Sequence, residues 1–132
     1  MPVRSTSSPV LRWPDAETVL AAARAWADEQ AERKRGLVRL GVFGSYARGD
    51  AGVGSDLDLV AVVTRTDRPR HRRLVDWPYE ELPVPTELVV YEAREWDELM
   101  AQEGRWPETL RREVVWLFDR SEGVDATQPR GD

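Results

Sequence analysis

The chain has 132 residues, 41% hydrophobic and 33% charged, with a formal net charge of −5 and a pI near 5.0. These values describe one folded domain rather than a disordered segment, and they argue against general nucleic-acid binding, which calls for a basic surface. The absence of cysteine and the single histidine, His71, exclude disulfides, thiolate nucleophiles and His- or Cys-rich metal sites. Carboxylates, hydroxyls, arginines and backbone amides remain to carry any chemistry.

No apolar run approaches the roughly 20 residues that span a bilayer. The opening Met1-Pro2-Val3-Arg4-Ser5 lacks a signal peptide's apolar core, so a cytoplasmic protein without a membrane partner is expected. Residues 1–12 mix Ser, Pro and Arg without periodicity and predict a flexible lead-in to a domain over 13–119. Asp15 then offers an N-cap, and Val19, Leu20, Ala23, Trp26, Ala27 and Ala31 recur at helical spacing up to a stop at Gly36.

Leu37 to Phe43 predicts a short strand running into Gly44-Ser45 and a helical turn over Tyr46-Ala47-Arg48. A glycine-rich loop follows. Asp56 to Val63 is nearly continuous in Leu and Val, as in a central strand buried on both faces. Residues 64–81 form a charged connector with a candidate short helix from Pro69, and Glu87 to Tyr91 predicts another strand. Trp96, Leu99 and Met100 mark a helix, while Val114 to Phe118 reads equally as a closing strand or a helix end. Residues 120–132 predict a disordered tail. The order predicts an α/β (α+β) domain with a small mixed sheet flanked by helices.

The chemistry concentrates in Gly44-Ser45-Tyr46-Ala47-Arg48-Gly49 and Ser55-Asp56-Leu57-Asp58-Leu59. Gly44 lets backbone approach a phosphate closely, and the free N–H groups of the following turn, with the Ser45 hydroxyl, suit an anion. Asp56 and Asp58, two apart on a predicted strand, project from one face. Their mutual repulsion and desolvation cost are relieved by a divalent cation sharing triphosphate oxygens, which makes the pair a Mg2+ site. Alone, Gly-Ser is a turn and Asp-x-Asp the wet side of an edge strand. Together, with the strand central, they are far more specific. Neither a Walker-type loop nor a Gly-x-Gly-x-x-Gly stretch occurs.

These 16 residues, Gly44 to Leu59, resemble the Gly-Ser-x-Ala-Arg-Gly … Ser-Asp-x-Asp-Leu signature of the DNA polymerase beta-like nucleotidyltransferase superfamily, and its minimal nucleotidyltransferases most. The resemblance implies the polymerase beta-like palm fold and a third carboxylate on a neighbouring strand. Glu87 fills that position in Thr86-Glu87-Leu88, where the family carries Asp. It implies Mg2+-dependent transfer of a nucleoside monophosphate, AMP from ATP, to an acceptor hydroxyl. Asp56, Asp58 and Glu87 are then the catalytic and metal residues, and Gly44, Ser45, Arg48 and Ser55 the nucleotide-binding set. Within that set Arg48 contacts phosphate or lies on the surface, and Ser55 orients Asp56 or caps the strand entry.

Only 45 residues follow Glu87, so the acceptor is expected on a partner. Minimal nucleotidyltransferases pair with HEPN-domain proteins as antitoxins of toxin–antitoxin systems, and the resemblance extends that role to this chain. A catalytically weak nucleotide-binding interaction protein is the competing reading, supported by glutamate at position 87. An RNA-binding module built on Arg65, Arg68, Arg70, Arg72 and Arg73 is the third. That arginine run is otherwise a solvated loop, or a docking patch for an acidic partner. Trp77, Trp96, Trp106 and Trp116 divide between core and candidate interface anchors.

Overall fold

The computed structural model describes residues 13–121; the expected lead-in 1–12 and positions 122–132 of the expected tail lie outside them. Asp15 caps helix α1 (Ala16–Arg33), accepting a hydrogen bond from the Thr18 N–H at 2.8 Å. The helix buries Val19, Ala23, Trp26, Ala27, Gln30 and Ala31, and it ends three residues before Gly36, where the Lys34 N–H bonds the Gln30 carbonyl. Strand β1 (Leu37–Phe43), the helical turn α2 (Ser45–Arg48) and strand β2 (Leu57–Val63) follow. Strand β3 (Thr86–Glu92), helices α3 (Ala93–Met100) and α4 (Arg105–Glu113), and strand β4 (Val115–Asp119) complete the order.

The strands form one mixed sheet in the order β3-β2-β1-β4. β1 is antiparallel to β2 and to β4, while β2 and β3 run parallel, their crossover being the charged connector. β2 reads as continuously apolar because both its faces are covered. Leu57, Leu59, Ala61 and Val63 join the core under α1, and Val60 and Val62 join Phe43, Trp96 and Leu110 under α3 and α4. Each such side chain contributes about 1.5–3 kcal/mol by leaving water. The strand pair β1–β2 is therefore the most deeply covered part of the sheet, and the sequence's most informative residues sit at its end.

Val114–Phe118 resolves as an edge strand pairing with β1. Gly41 makes the pairing possible: a Cβ there would fall 2.7 Å from Val114 and 2.8 Å from Trp116. Helix α4 has no counterpart among the expected elements; it opens with Arg105-Trp106-Pro107 after its N-cap Gly104. Proline is tolerated in a helix's first turn, where its missing N–H leaves no bond unmade.

The connector folds into two 3₁₀ turns, Arg70–Asp76 and Tyr79–Glu81. Arg73 is buried at 9% exposure, bonding both Glu95 oxygens at 2.7 and 3.2 Å and the Val90 carbonyl at 3.1 Å. Arg70 reaches Glu95 at 2.7 Å and Arg68 holds Asp76 at 3.0 Å. Three of the five connector arginines are thus engaged within the fold. Trp77 and Trp96 are core residues, whereas Trp106 stays 38% exposed. Among the described residues no helix is long and apolar enough to cross a membrane.

Candidate functional site

The site is built where β1 ends. Gly44 takes φ 78 and ψ −154, a conformation essentially restricted to glycine. A Cβ on Gly44 would fall 2.2 Å from Asp58 Oδ2, so only the missing side chain lets this backbone lie against that carboxylate. The turn then closes on itself: the Ala47 and Arg48 N–H groups bond the Gly44 carbonyl at 3.0 and 2.9 Å. Gly49, in the left-handed region at φ 88, donates to the Ser45 carbonyl at 3.0 Å.

The loop back to β2 is held by Ser55. Its hydroxyl accepts from the Gly52 N–H at 2.9 Å, and its N–H donates to the Gly52 carbonyl at 3.0 Å. The Ser55 hydroxyl is thus turned to the loop rather than to Asp56. Pairing starts at Leu57, whose N–H bonds the Pro85 carbonyl at 2.9 Å. Asp56 therefore lies one residue before the strand, exposed, instead of on it as the alternation suggested. Asp58 is half-buried within the strand.

Asp58 pairs with Phe43 on one side and with Glu87 on the other. The parallel register puts Asp58 and Glu87 side by side, since residues directly paired across strands share a sheet face. Glu87 is the exposed member. Burial foremost, then the charges of Glu87 and Asp56, push the Asp58 carboxyl above its ordinary range; Glu113 adds to this and Arg48 opposes it. Three further carboxylates thus bear on Asp58, with Arg48 opposing them. Arg48 is itself occupied, at 3.3 Å from both Glu113 oxygens and 3.2 Å from Asp50. Carboxylates gathered in this way, with oxygen donors only, fit a hard divalent cation. Among the described residues no three such side chains yet converge as a ligand cluster, so these carboxylates are electrostatic neighbours rather than a finished shell.

Glu113 is the residue the sequence did not disclose. Its carboxylate accepts the Gly44 N–H at 3.1 Å. The register explains the contact: Val42 pairs with Val115, so two residues further on Gly44 meets the last residue of α4. No spacing rule links positions 44 and 113. Only recognition of α4 and of β4 as a partner of β1 would have brought them together.

Gly44, Ser45, Arg48 and Asp58 therefore lie together at one end of a mixed sheet, with Asp56 and Glu87 beside them. A family profile described as the nucleotidyltransferase domain matches residues 26–106, more than half of the chain. The chain belongs to that family and is a nucleotidyltransferase. No curated protein matches the sequence. Among solved structures, a candidate nucleotidyltransferase from Sulfolobus solfataricus superposes with a TM-score of 0.60 at 18% identity, covering 91% of this chain and 96% of its own. That likeness establishes a common fold. A toxin–antitoxin complex crystallised with AMP-PNP gives a TM-score of 0.47 at 15% identity, covering 89% of this chain and 83% of its own. A mutant of the toxin–antitoxin pair MntA-HpeT gives 0.47 at 13%, with the same coverage.

Proposed function

We propose that residues 13–119 form a Mg2+-dependent catalytic domain in the cytoplasm that transfers AMP from ATP to a hydroxyl on a partner protein. The observation that carries the reading is the apposition of Gly44 and Asp58: a glycine-only backbone lies against the carboxylate that would face the triphosphate. Asp56 and Asp58 hold the metal and Glu87 completes its set, while Gly44 and Ser45 take the β- and γ-phosphates. A Mg2+ held by these residues would supply charge neutralisation at the phosphate and leaving-group oxygens.

The chain's own residues position the rest. The acceptor oxygen forms a bond to the α-phosphorus as the bond from that phosphorus to the bridging oxygen breaks. The electron pair leaves with pyrophosphate. Glu87, exposed beside Asp58, takes the acceptor's proton. The resemblance to minimal nucleotidyltransferases supplies the partner class, a HEPN-domain toxin for which this chain is the antitoxin; a role in binding nucleic acid is not part of the proposal.

One feature favours a second reading, a nucleotide-binding antitoxin with weak catalysis. Glutamate at position 87 is one methylene longer than the family's aspartate, and misplacement of about 1 Å can cost about 100-fold in rate. Incubation of the protein with α-labelled ATP, Mg2+ and lysate containing its native partners decides between them. Label on a protein band that disappears with the Asp56→Asn/Asp58→Asn double variant supports transfer. Mg2+-dependent ATP binding without transfer supports the second reading, and the absence of both transfer and binding overturns the site assignment.

A further inference from the structure

Glu113 makes three polar contacts to the nucleotide-gripping turn: the Gly44 N–H at 3.1 Å, and the Arg48 Nη1 at 3.3 Å from each of its carboxylate oxygens. We infer that Glu113 is the positioning residue of this turn, fixing the glycine-only backbone of Gly44 and aiming Arg48 outward at the phosphates of the incoming nucleotide. The inference rests on the nucleotide site proposed above.

A carboxylate at the Gly44 N–H has two physical meanings. It is either a stand-in that an incoming phosphate displaces, or a fixture. Burial and tethering decide for the fixture. The Glu113 side chain is 10% exposed while that of Arg48 is 47% exposed, so the acid is the inner member of the pair and the guanidinium the outer. Glu113 is the last residue of α4, and the chain just after it is held: the Val114 N–H bonds the Leu110 carbonyl at 3.1 Å, and Val115 is paired with Val42 of β1. A displaced Glu113 would have to bring out a side chain that is 10% exposed, from a main chain anchored at the next two residues.

The geometry of Arg48 fits the same role. Nε is taken by Asp50 at 3.2 Å and Nη1 by Glu113, whereas Nη2 has no hydrogen bond to any described residue. A guanidinium is planar, with its five donors in a rigid fork, so pinning two nitrogens fixes the direction of the third. The remaining Nη2 donors suit a phosphate oxygen, the anion for which such forks are best shaped. Arg48 as found is therefore partly neutralised but fully oriented.

The sign of one mutational effect separates positioning from simple electrostatics. Replacing Glu113 by glutamine removes a negative charge from an acidic recess while retaining an oxygen that can accept the Gly44 N–H. On charge alone, affinity for a triphosphate rises. If Glu113 positions Arg48, affinity falls. The experiment is calorimetric titration of ATP, with Mg2+ present, into the full chain as wild type, E113Q, Arg48→Ala and the double variant, each first checked for a cooperative melt. We expect E113Q to bind ATP about tenfold more weakly, about 1.4 kcal/mol, and to cause no further loss in the Arg48→Ala background. Equal or tighter binding by E113Q, or a full additional loss in the absence of Arg48, overturns the inference. Should E113Q fail to fold, Arg48→Lys at the exposed end of the pair takes its place. It retains the charge without the fork, and unchanged affinity overturns the inference. A wild type that binds no ATP overturns the nucleotide site itself, and this inference with it, so the two failures are told apart.

Discussion

At Gly44 the backbone conformation and the contact with Asp58 both forbid a side chain. Gly44→Ala is therefore expected to cost about 1–3 kcal/mol of stability and to abolish transfer, checked by urea unfolding beside an activity assay. A variant of wild-type stability and activity would show that the close approach is not needed. Asp58 calls for the opposite expectation. Its folded-state carboxyl lies above its ordinary value, chiefly through burial and the neighbouring Glu87 charge. The unfolded chain therefore loses this proton first as pH rises, and the metal-free fold loses stability through the interval up to the folded value. Asp58→Asn removes that penalty. The expected result is a higher urea midpoint for the metal-free variant at neutral pH and a flatter pH dependence above the carboxylate range. A lower midpoint would mean that Asp58 stabilises the fold instead of straining it.

Between elements, the connector and α3 are joined by Arg73, Arg70 and Glu95. Hydrogen bonds from Arg73 above all pull the Glu95 carboxyl down to about 2. A depressed acid contributes its stability above the unfolded value and loses it as pH falls towards the folded one, here between the ordinary carboxylate range and about 2. Glu95→Gln is expected to cost about 3 kcal/mol at pH 7, because it leaves the buried Arg73 without its counter-charge. The deficit should shrink as the pH is lowered into that range. A deficit independent of pH would place the loss in packing rather than in charge. At the other edge, Gly41→Ala drives a methyl into Val114 and Trp116. Overpacking of this kind costs about 1–3 kcal/mol, and thermal melting reads it; an unchanged midpoint would mean that β4 shifts freely on β1.

What the sequence disclosed follows the same division. β1 and β2 were legible because continuous Leu and Val admit little but a covered strand, and α1 because its apolar residues repeat at helical spacing between a cap and a stop. The bulk of the candidate site was legible for a related reason, since Gly44 to Leu59 brings its residues together through a single strand–turn–strand. α4 was hidden behind Gly104 and Pro107, and with it Glu113, whose contact with Gly44 depends on strand pairing across 69 residues. Asp56 also moved, from the strand to the residue before it, because pairing begins at the Leu57 N–H and not where the apolar run begins. The arginine run was the least legible stretch. Arg73 is buried because Glu95, on a later helix, is placed to receive it, and no local pattern encodes that.

The molecule as a whole joins a covered pair of strands, a glycine turn proposed to accept phosphate, and a group of carboxylates suited to a cation. Net charge supports this combination: an acidic chain that handles a polyanion needs local devices, namely a glycine-only approach, a helical turn and one oriented arginine, rather than a basic surface. The most direct test is titration of ATP into the wild type and Asp58→Asn, with and without Mg2+, by calorimetry. Binding by the wild type is expected to strengthen at least about tenfold with Mg2+, and the variant to lose that strengthening while retaining its fold. Equal Mg2+-dependent binding by both proteins would place the metal and nucleotide away from Asp58, and would contradict the site described here.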